Sequence, residues 1–253
     1  MSHDLFKQRI REEPGDDVHR LVYADWLDDH DQPAEADKFR FLPGTAALWA
    51  DVWGRDSYGL WACYRINQMM ISLRWVPLET DSHQGFWMDE TPCTVLQWNN
   101  VRGLGHLQDS WDDSPVTQVS YDECVDFCDS MNIFKPQPKL QFRLPTEAEW
   151  EYACRGGTEG DQYHDDIDAI AWHSGNSQGR LHSVRRKMSN QYGLYDMIGN
   201  VWEWCHDPHT DESLQVYRGG SWLIYPRFCC CASRGSNVPS FRFSDIGFRF
   251  VTF

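Results

Sequence analysis

The chain is poor in basic residues. It has 23 Lys and Arg against 38 Asp and Glu, a formal net charge of -15. Phosphate backbones are held by clustered cations, so this balance excludes a nucleic-acid-binding surface and disfavours contact with anionic lipid. No apolar run approaches the roughly 20 residues that a membrane-crossing helix needs. Met1-Ser2-His3-Asp4 offers neither a basic start nor an apolar stretch, so no secretory leader is read and a cytoplasmic protein is expected. The cysteines number nine, an odd count, which predicts free and mostly buried thiols rather than a disulfide scaffold. Cys124 and Cys128 stand four apart, but no second Cys/His pair follows at finger spacing, so zinc is not predicted. What the chain does have is aromatic volume, with 14% Phe, Trp and Tyr including 13 Trp. With a mean hydropathy of -0.61, that composition describes a globular chain with ample core.

Punctuation divides the sequence into three. Residues 1–44 read as a small helical unit: Asp4 caps a first helix, Pro14-Gly15 ends it, and a second helix carries Val18, Leu21, Val22, Trp26 and Leu27 on one face. A short third helix is expected over 34–41. Residues 45–75 form an aromatic-rich bridge in which one or two helices are expected. From residue 76 the pattern turns to short strands and two helices. Ser120 with Glu123, and Thr146 with Glu149, each make a capping box, predicting helices over 121–131 and 147–154. Gly156-Gly157 stops the second. Residues 156–193 read as loop, and 246–251 as a closing strand.

Two resemblances follow from quoted residues. Pro14-Gly15-Asp16-Asp17, Arg20-Leu21-Val22-Tyr23-Ala24-Asp25-Trp26-Leu27 and Ala36-Asp37-Lys38-Phe39 resemble a repeat-companion segment of planctomycete-type bacterial proteins, which implies a docking or solubilising appendage and no activity. Over 76–253, Phe86 to Thr94, Pro115 to Tyr121, Arg143-Leu144-Pro145-Thr146-Glu147-Ala148-Glu149-Trp150, Gly193 to Trp204, Arg218-Gly219-Gly220-Ser221-Trp222 and Gly247-Phe248-Arg249 resemble, in order, the formylglycine-generating-enzyme (sulfatase-modifying factor) family. That resemblance implies an α+β, C-type-lectin-like fold, loop-rich with little regular structure. Arg143, Glu147, Glu149, Glu151, Arg218 and Arg249 are expected to pair structurally, because loop-rich domains need polar clusters to satisfy uncovered backbone.

Oxidase members of the family bind copper(I) through paired cysteines soon after the Gly-Gly-Ser-aromatic motif. Here Ile224 stands where one of them would be, and Cys229, Cys230 and Cys231 are arranged differently. A copper-dependent oxidase acting on a cysteine of a protein substrate is therefore the alternative. The leading expectation is the variable proteins of diversity-generating retroelements, which share the framework Arg218 to Trp222, Pro226-Arg227, Cys229, Ala232, Arg234, Pro239, Arg242 and Ile246-Gly247-Phe248-Arg249 within a variable region over 218–250. Between these lie Leu223, Ile224, Tyr225, Phe228, Cys230, Ser233, Gly235, Ser236, Asn237, Val238, Phe241, Phe243, Ser244 and Asp245, with no period of 2 or 3.6. None is Lys, Glu, Gln, Met or Trp, the types out of reach when the first two bases of an Asn codon change. Rigid aromatics beside small polar residues suit a paratope, so these residues are expected to form a non-catalytic, hypervariable surface for a protein ligand. Cys231 and Ser240 leave the borders of the framework open. No cofactor is predicted with conviction; His164, Asp165, Asp166, Asp168, Asn176 and Asn200 are candidate oxygen-rich ligands of a structural calcium ion, against the plainer reading of a solvated acidic loop. His173 and His182 are expected to be exposed.

Overall fold

Leu60, Ala62 and Tyr64 are buried while Trp61 and Cys63, between them, are only partly covered. That period of two makes a strand half-buried on one face. In the computed structural model it is β2 (Gly59–Ile66), joined to β1 (Val52–Asp56) by a tight turn in which the Asp56 carboxylate accepts from the Tyr58 N–H at 2.9 Å. The structure describes residues 5–6, 9, 17–30, 32, 52–66, 69–78, 81–102, 113–134 and 140–253. The strands β3 (Met69–Leu78) and β4 (Asp81–Asp89) continue the antiparallel meander. The expected helices of 45–75 are thus replaced, in the described part, by strands. The signal was present in the alternation and in the Asp56/Gly59 turn, but the aromatic density masked it. β3 also runs straight across the expected boundary at residues 75 and 76, so sheet hydrogen bonds tie the two sides together.

Two short late strands close the structure. β5 (Phe142–Arg143) and β10 (Val251–Thr252) complete a six-stranded sheet in the order β1-β2-β3-β4-β10-β5. A four-stranded sheet has the order β8-β7-β6-β9, from β6 (Trp202–Pro208), β7 (Gln215–Arg218), β8 (Arg234–Asn237) and β9 (Ile246–Gly247). The expected single closing strand is therefore two, β9 and β10, one in each sheet.

The helices with capping boxes form where those boxes said. α1 (Asp17–Asp28) buries Tyr23, Ala24 and Leu27, whereas Val22, expected on that face, is turned to solvent. The expected Asp4 cap and the third helix of 34–41 lie outside the described residues. α2 (Val95–Arg102) follows β4. α3 (Tyr121–Phe134) starts at Ser120, whose N–H reaches Glu123 at 2.9 Å while its hydroxyl accepts from the Glu123 N–H at 3.3 Å. α4 (Glu147–Arg155) repeats the device with Thr146 and Glu149 and ends on left-handed Gly156. The loop of 156–193 contains one short helix, α5 (Ile167–Ile170). Among the described residues no helix is long and apolar enough to cross a membrane.

The core has a centre made of charge. Arg249 and Glu203 have fully buried side chains and are paired twice, at 2.7 and 2.8 Å. Trp150 donates its indole N–H to the same Glu203 carboxylate at 2.7 Å, and Arg249 reaches the carbonyls of Asp89 and Tyr195 at 3.1 and 2.9 Å. A buried pair persists only when its remaining polar atoms are satisfied in this way. Around it, Phe127 and Phe248 meet edge to face at 5.2 Å and Trp98 stacks on Phe127 at 5.5 Å.

Candidate binding surface

The segment from Arg218 onward is fastened by its backbone. Gly219 and Gly220 take φ values of +102° and +82°, a region that favours glycine. A Cβ on Gly219 would lie 2.9 Å from the Met197 carbonyl oxygen. These glycines turn the chain at the end of β7. Beyond them, Trp222 N–H donates to Asn200 O at 3.0 Å, Ser174 N–H to Ile224 O at 3.0 Å, and Cys231 N–H to Asp161 O at 2.8 Å. Further along, Tyr121 N–H donates to Pro239 O and Gln118 N–H to Phe243 O, both at 2.9 Å. Tertiary partners thus hold the main chain at intervals throughout.

Arginines add a second set of ties, from the expected Arg143 and Arg218 and also from Arg234 and Arg242, which were not among the residues expected to pair. Arg218 bridges Glu147 and Glu151 at 2.6 and 2.8 Å, and Arg234 binds Glu147 at 2.7 Å. Arg143 grips Glu149 with two bonds of 2.7 Å, and Arg242 binds Glu123 at 2.9 Å. Burial raises the Glu147 and Glu149 carboxyls less than the arginines lower them, so both titrate below the ordinary glutamate value.

With the backbone held, the side chains divide. Leu223, Tyr225, Phe228, Val238 and Phe243 are between 42% and 66% exposed. Ser244 is exposed as well, and Ile224, Cys230, Ser233, Gly235, Ser236, Asn237 and Phe241 are partly covered. Phe241 and Phe243 stack at 5.8 Å, and the Arg227 guanidinium lies 4.7 Å above Phe228 and 5.7 Å from Tyr225. Two of the expected surface residues sit differently. Asp245 is buried: its carboxylate accepts from the Ser221 hydroxyl and its carbonyl from Trp202 N–H, and burial pushes its carboxyl up. It belongs to the frame because it closes the polar end of β9. Gly235 faces Tyr217, and a Cβ there would come within 2.2 Å of that ring. A side chain at 235 requires Tyr217 to leave its edge-to-face seat on Trp202 and Trp204, at 5.2 and 5.3 Å.

The candidate calcium ligands do not converge. Asp166 caps α5, His164 accepts from the Asp166 N–H, and one Asp168 oxygen is taken by His173 and Asn176 at 2.8 and 3.0 Å. Asn200 lies apart, bonded to His182 and Asp196. Among the described residues no three His, Cys, Asp or Glu side chains meet so as to hold a metal ion. His173 is buried and His182 stacks on Trp172 at 3.7 Å, both contrary to the exposed placement expected, because the loop folds over them. A paired-cysteine copper site does not fit either. Cys229 points at the Ser221 carbonyl at 3.9 Å, and burial pushes its thiol up to about 12, far from the thiolate that binds copper(I). Cys231 faces Cys154 instead, with sulfurs 3.4 Å apart, a juxtaposition no sequence pattern signalled.

Residues 23–252 match the model of the sulfatase-modifying factor enzyme 1-like domain. The chain belongs to the sulfatase-modifying factor enzyme 1-like family. Within it, the formylglycine-generating enzyme of Mus musculus is 31% identical over 211 residues, covering 68% of this chain and 54% of that protein. The inactive C-alpha-formylglycine-generating enzyme 2 of Bos taurus is 30% identical over 206 residues, 73% of this chain and 61% of that protein. The chain therefore spans little more than half the length of these relatives, and the family contains proteins named as active and as inactive. Among solved structures, Treponema denticola variable protein 1 superposes with a TM-score of 0.65 at 26% identity, covering 76% of this chain and 98% of that one. The fold is the α+β, C-type-lectin-like, loop-rich one expected from the resemblance.

Proposed function

We propose that the chain is a non-catalytic binding protein whose C-terminal segment, of the diversity-generating-retroelement type, displays a varied surface to a protein ligand. One observation carries this: the main chain of the segment is held by frame partners, while Leu223, Tyr225, Phe228, Val238 and Phe243 project into solvent. Such a division lets side chains change without disturbing the fold. Exposed rings set among Ser233, Ser236, Asn237 and Ser244 supply rigid apolar anchors with adaptable polar neighbours, the composition of antibody paratopes. The length of the match to a protein named as variable supports the same reading. Asp245 and Gly235 are assigned to the frame rather than to the contact surface.

The genomic test is direct. A near-identical copy of the stretch encoding 218–250 should lie beside a reverse transcriptase gene, with its mismatches confined to template adenines. A neighbourhood without such a copy refutes diversification.

The second reading, a copper-dependent oxidase converting a substrate cysteine, draws support from the 31% identity to a named enzyme. Ile224 at one cysteine position and the raised, buried Cys229 thiol oppose it. The purified chain mixed with copper(I) and a cysteine peptide is expected to consume oxygen only at the background rate. Conversion of the peptide cysteine to an aldehyde would overturn the non-catalytic assignment.

A further inference from the structure

β8 is the outer strand of the four-stranded sheet and lies inside the displayed segment. It pairs with β7 through Gln215↔Asn237, Val216↔Ser236, Tyr217↔Gly235 and Arg218↔Arg234, and just past this ladder the Gly219 N–H donates to Ser233 O at 3.3 Å. In an antiparallel ladder, alternate residues turn their N–H and C=O toward the partner. Gly235 and Asn237 therefore face β7 with these groups, whereas Arg234 and Ser236 aim theirs away from it. Among the described residues nothing bonds to the outward groups of Arg234 and Ser236. The edge is closed at both ends, since the Ser233 N–H donates to Cys230 O at 3.0 Å and the Val238 N–H to Asn237 Oδ1 at 2.9 Å. Open edges are ordinarily guarded by charge, proline, a bulge or a covering loop. Here the charge is withdrawn: the Arg234 guanidinium is held against Glu147 by bonds of 2.7 and 3.1 Å. Gly235 carries no side chain and Ser236 a small one. Exposed apolar residues bracket the edge, with Phe228 tied through its carbonyl to the Ser233 hydroxyl at one end and Val238 at the other. Beyond the Gln215–Asn237 rung, the β6–β7 hairpin carries exposed Asp211 and Glu212.

We propose that β8 accepts an added antiparallel strand, an extended segment of the protein ligand with apolar residues at alternate positions and basic residues at its ends. This pairing rests on the binding role proposed above and gives it a main-chain component. N–H and C=O groups of the ligand strand complete the bonds left open at Arg234 and Ser236, and its apolar side chains meet Phe228 and Val238. Its basic ends answer Asp211 and Glu212 and the net charge of -15. A second copy of this chain is the disfavoured occupant, because it would bring another -15 to the same edge. Main-chain bonds do not depend on which side chains flank them, so this anchor persists when the residues around it are exchanged.

The test uses the full chain, isotope-labelled for NMR, with the peptide acetyl-Lys-Val-Thr-Val-Thr-Val-Lys-amide as probe. In the free chain the amides of Gly235 and Asn237 should exchange with solvent slowly and those of Arg234 and Ser236 fast. Millimolar peptide should slow the Arg234 and Ser236 amides as well. Ser236→Pro removes an outward N–H and spares the ladder to β7, a place where an edge strand tolerates proline. It should leave the melting temperature within a few degrees of wild type and weaken peptide binding about fivefold, the effect of one backbone hydrogen bond. Replacing each Lys of the peptide by Glu should weaken binding, and N-methylating its amides should abolish it. Three results would overturn the proposal: no protection of Arg234 and Ser236 by the peptide, undiminished binding of the N-methylated peptide, or a dimer of the free chain that Ser236→Pro dissociates, which would give the edge to a second copy. The genomic test separates this pairing from the reading beneath it: a template copy without peptide protection removes the added strand alone, and protection without a template copy removes diversification alone.

Discussion

Phe243 and Asp245 are two residues apart and should respond oppositely to mutation. Phe243 is 48% exposed and touches Phe241 as its ring partner. Fully burying a Phe side chain is worth about 1.5–3 kcal/mol, so removing a half-exposed one by Phe243→Ser costs about 1 kcal/mol. Asp245 is 4% exposed and accepts from the Ser221 hydroxyl, itself fully buried. Asp245→Ala strands that hydroxyl without its acceptor, at a cost of about 1–3 kcal/mol, and a small cavity adds to it. The expected ordering is Asp245→Ala well below Phe243→Ser, with Phe243→Ser close to wild type. Urea unfolding followed by tryptophan fluorescence measures both, with equal m-values required for the comparison. A triple replacement of Tyr225, Phe228 and Phe243 by Ser should also leave a cooperative transition. If Phe243→Ser proves the more damaging of the pair, or the triple variant loses cooperativity, the exposed rings are core and the separation of surface from frame is wrong.

Further outcomes follow from the frame. Arg249→Met removes the cation paired with the buried Glu203 carboxylate and should cost about 3–5 kcal/mol by the same measurement; a loss below about 1 kcal/mol would contradict a buried ion pair at the centre of the core. Gly235→Val should force the Tyr217 ring from its seat and change near-UV circular dichroism, whereas Ser236→Val should not. Burial raises the Asp89 carboxyl from 3.8 to about 7. A carboxyl raised on folding contributes stability that is present below its unfolded value and lost as pH rises through the folded one. Asp89→Asn keeps an acceptor for Gln97, so the melting temperature of the variant relative to wild type should climb between pH 4 and pH 8; a flat or falling difference contradicts the placement of that charge.

What could be read from residues alone was what is local. Ser120 and Thr146 announced α3 and α4 because a capping box is complete within four positions. The strands of the first sheet before residue 76 were missed although Leu60, Ala62 and Tyr64 alternate, since strand pairing joins segments that no window spans. Val22 was assigned to the wrong face because Tyr23 and Ala24 compete for the same stripe on α1. In the proposed binding surface, exposure at Tyr225, Phe228 and Phe243 agreed with their lack of periodicity. Asp245 and Gly235 broke ranks through partners far away in the chain, Ser221 and Tyr217. The meeting of Cys154 with Cys231 is of the same non-local kind.

One glutamate at the start of α4 receives both Arg218 and Arg234. The stretch between those arginines is therefore a span with both feet planted on a single helical turn. Lengthening or shortening it would pull one foot off. Under the proposed binding role, new recognition would come by exchanging residues one for one, at constant length, and not by growing the longer fingers with which immunoglobulin loops reach into clefts.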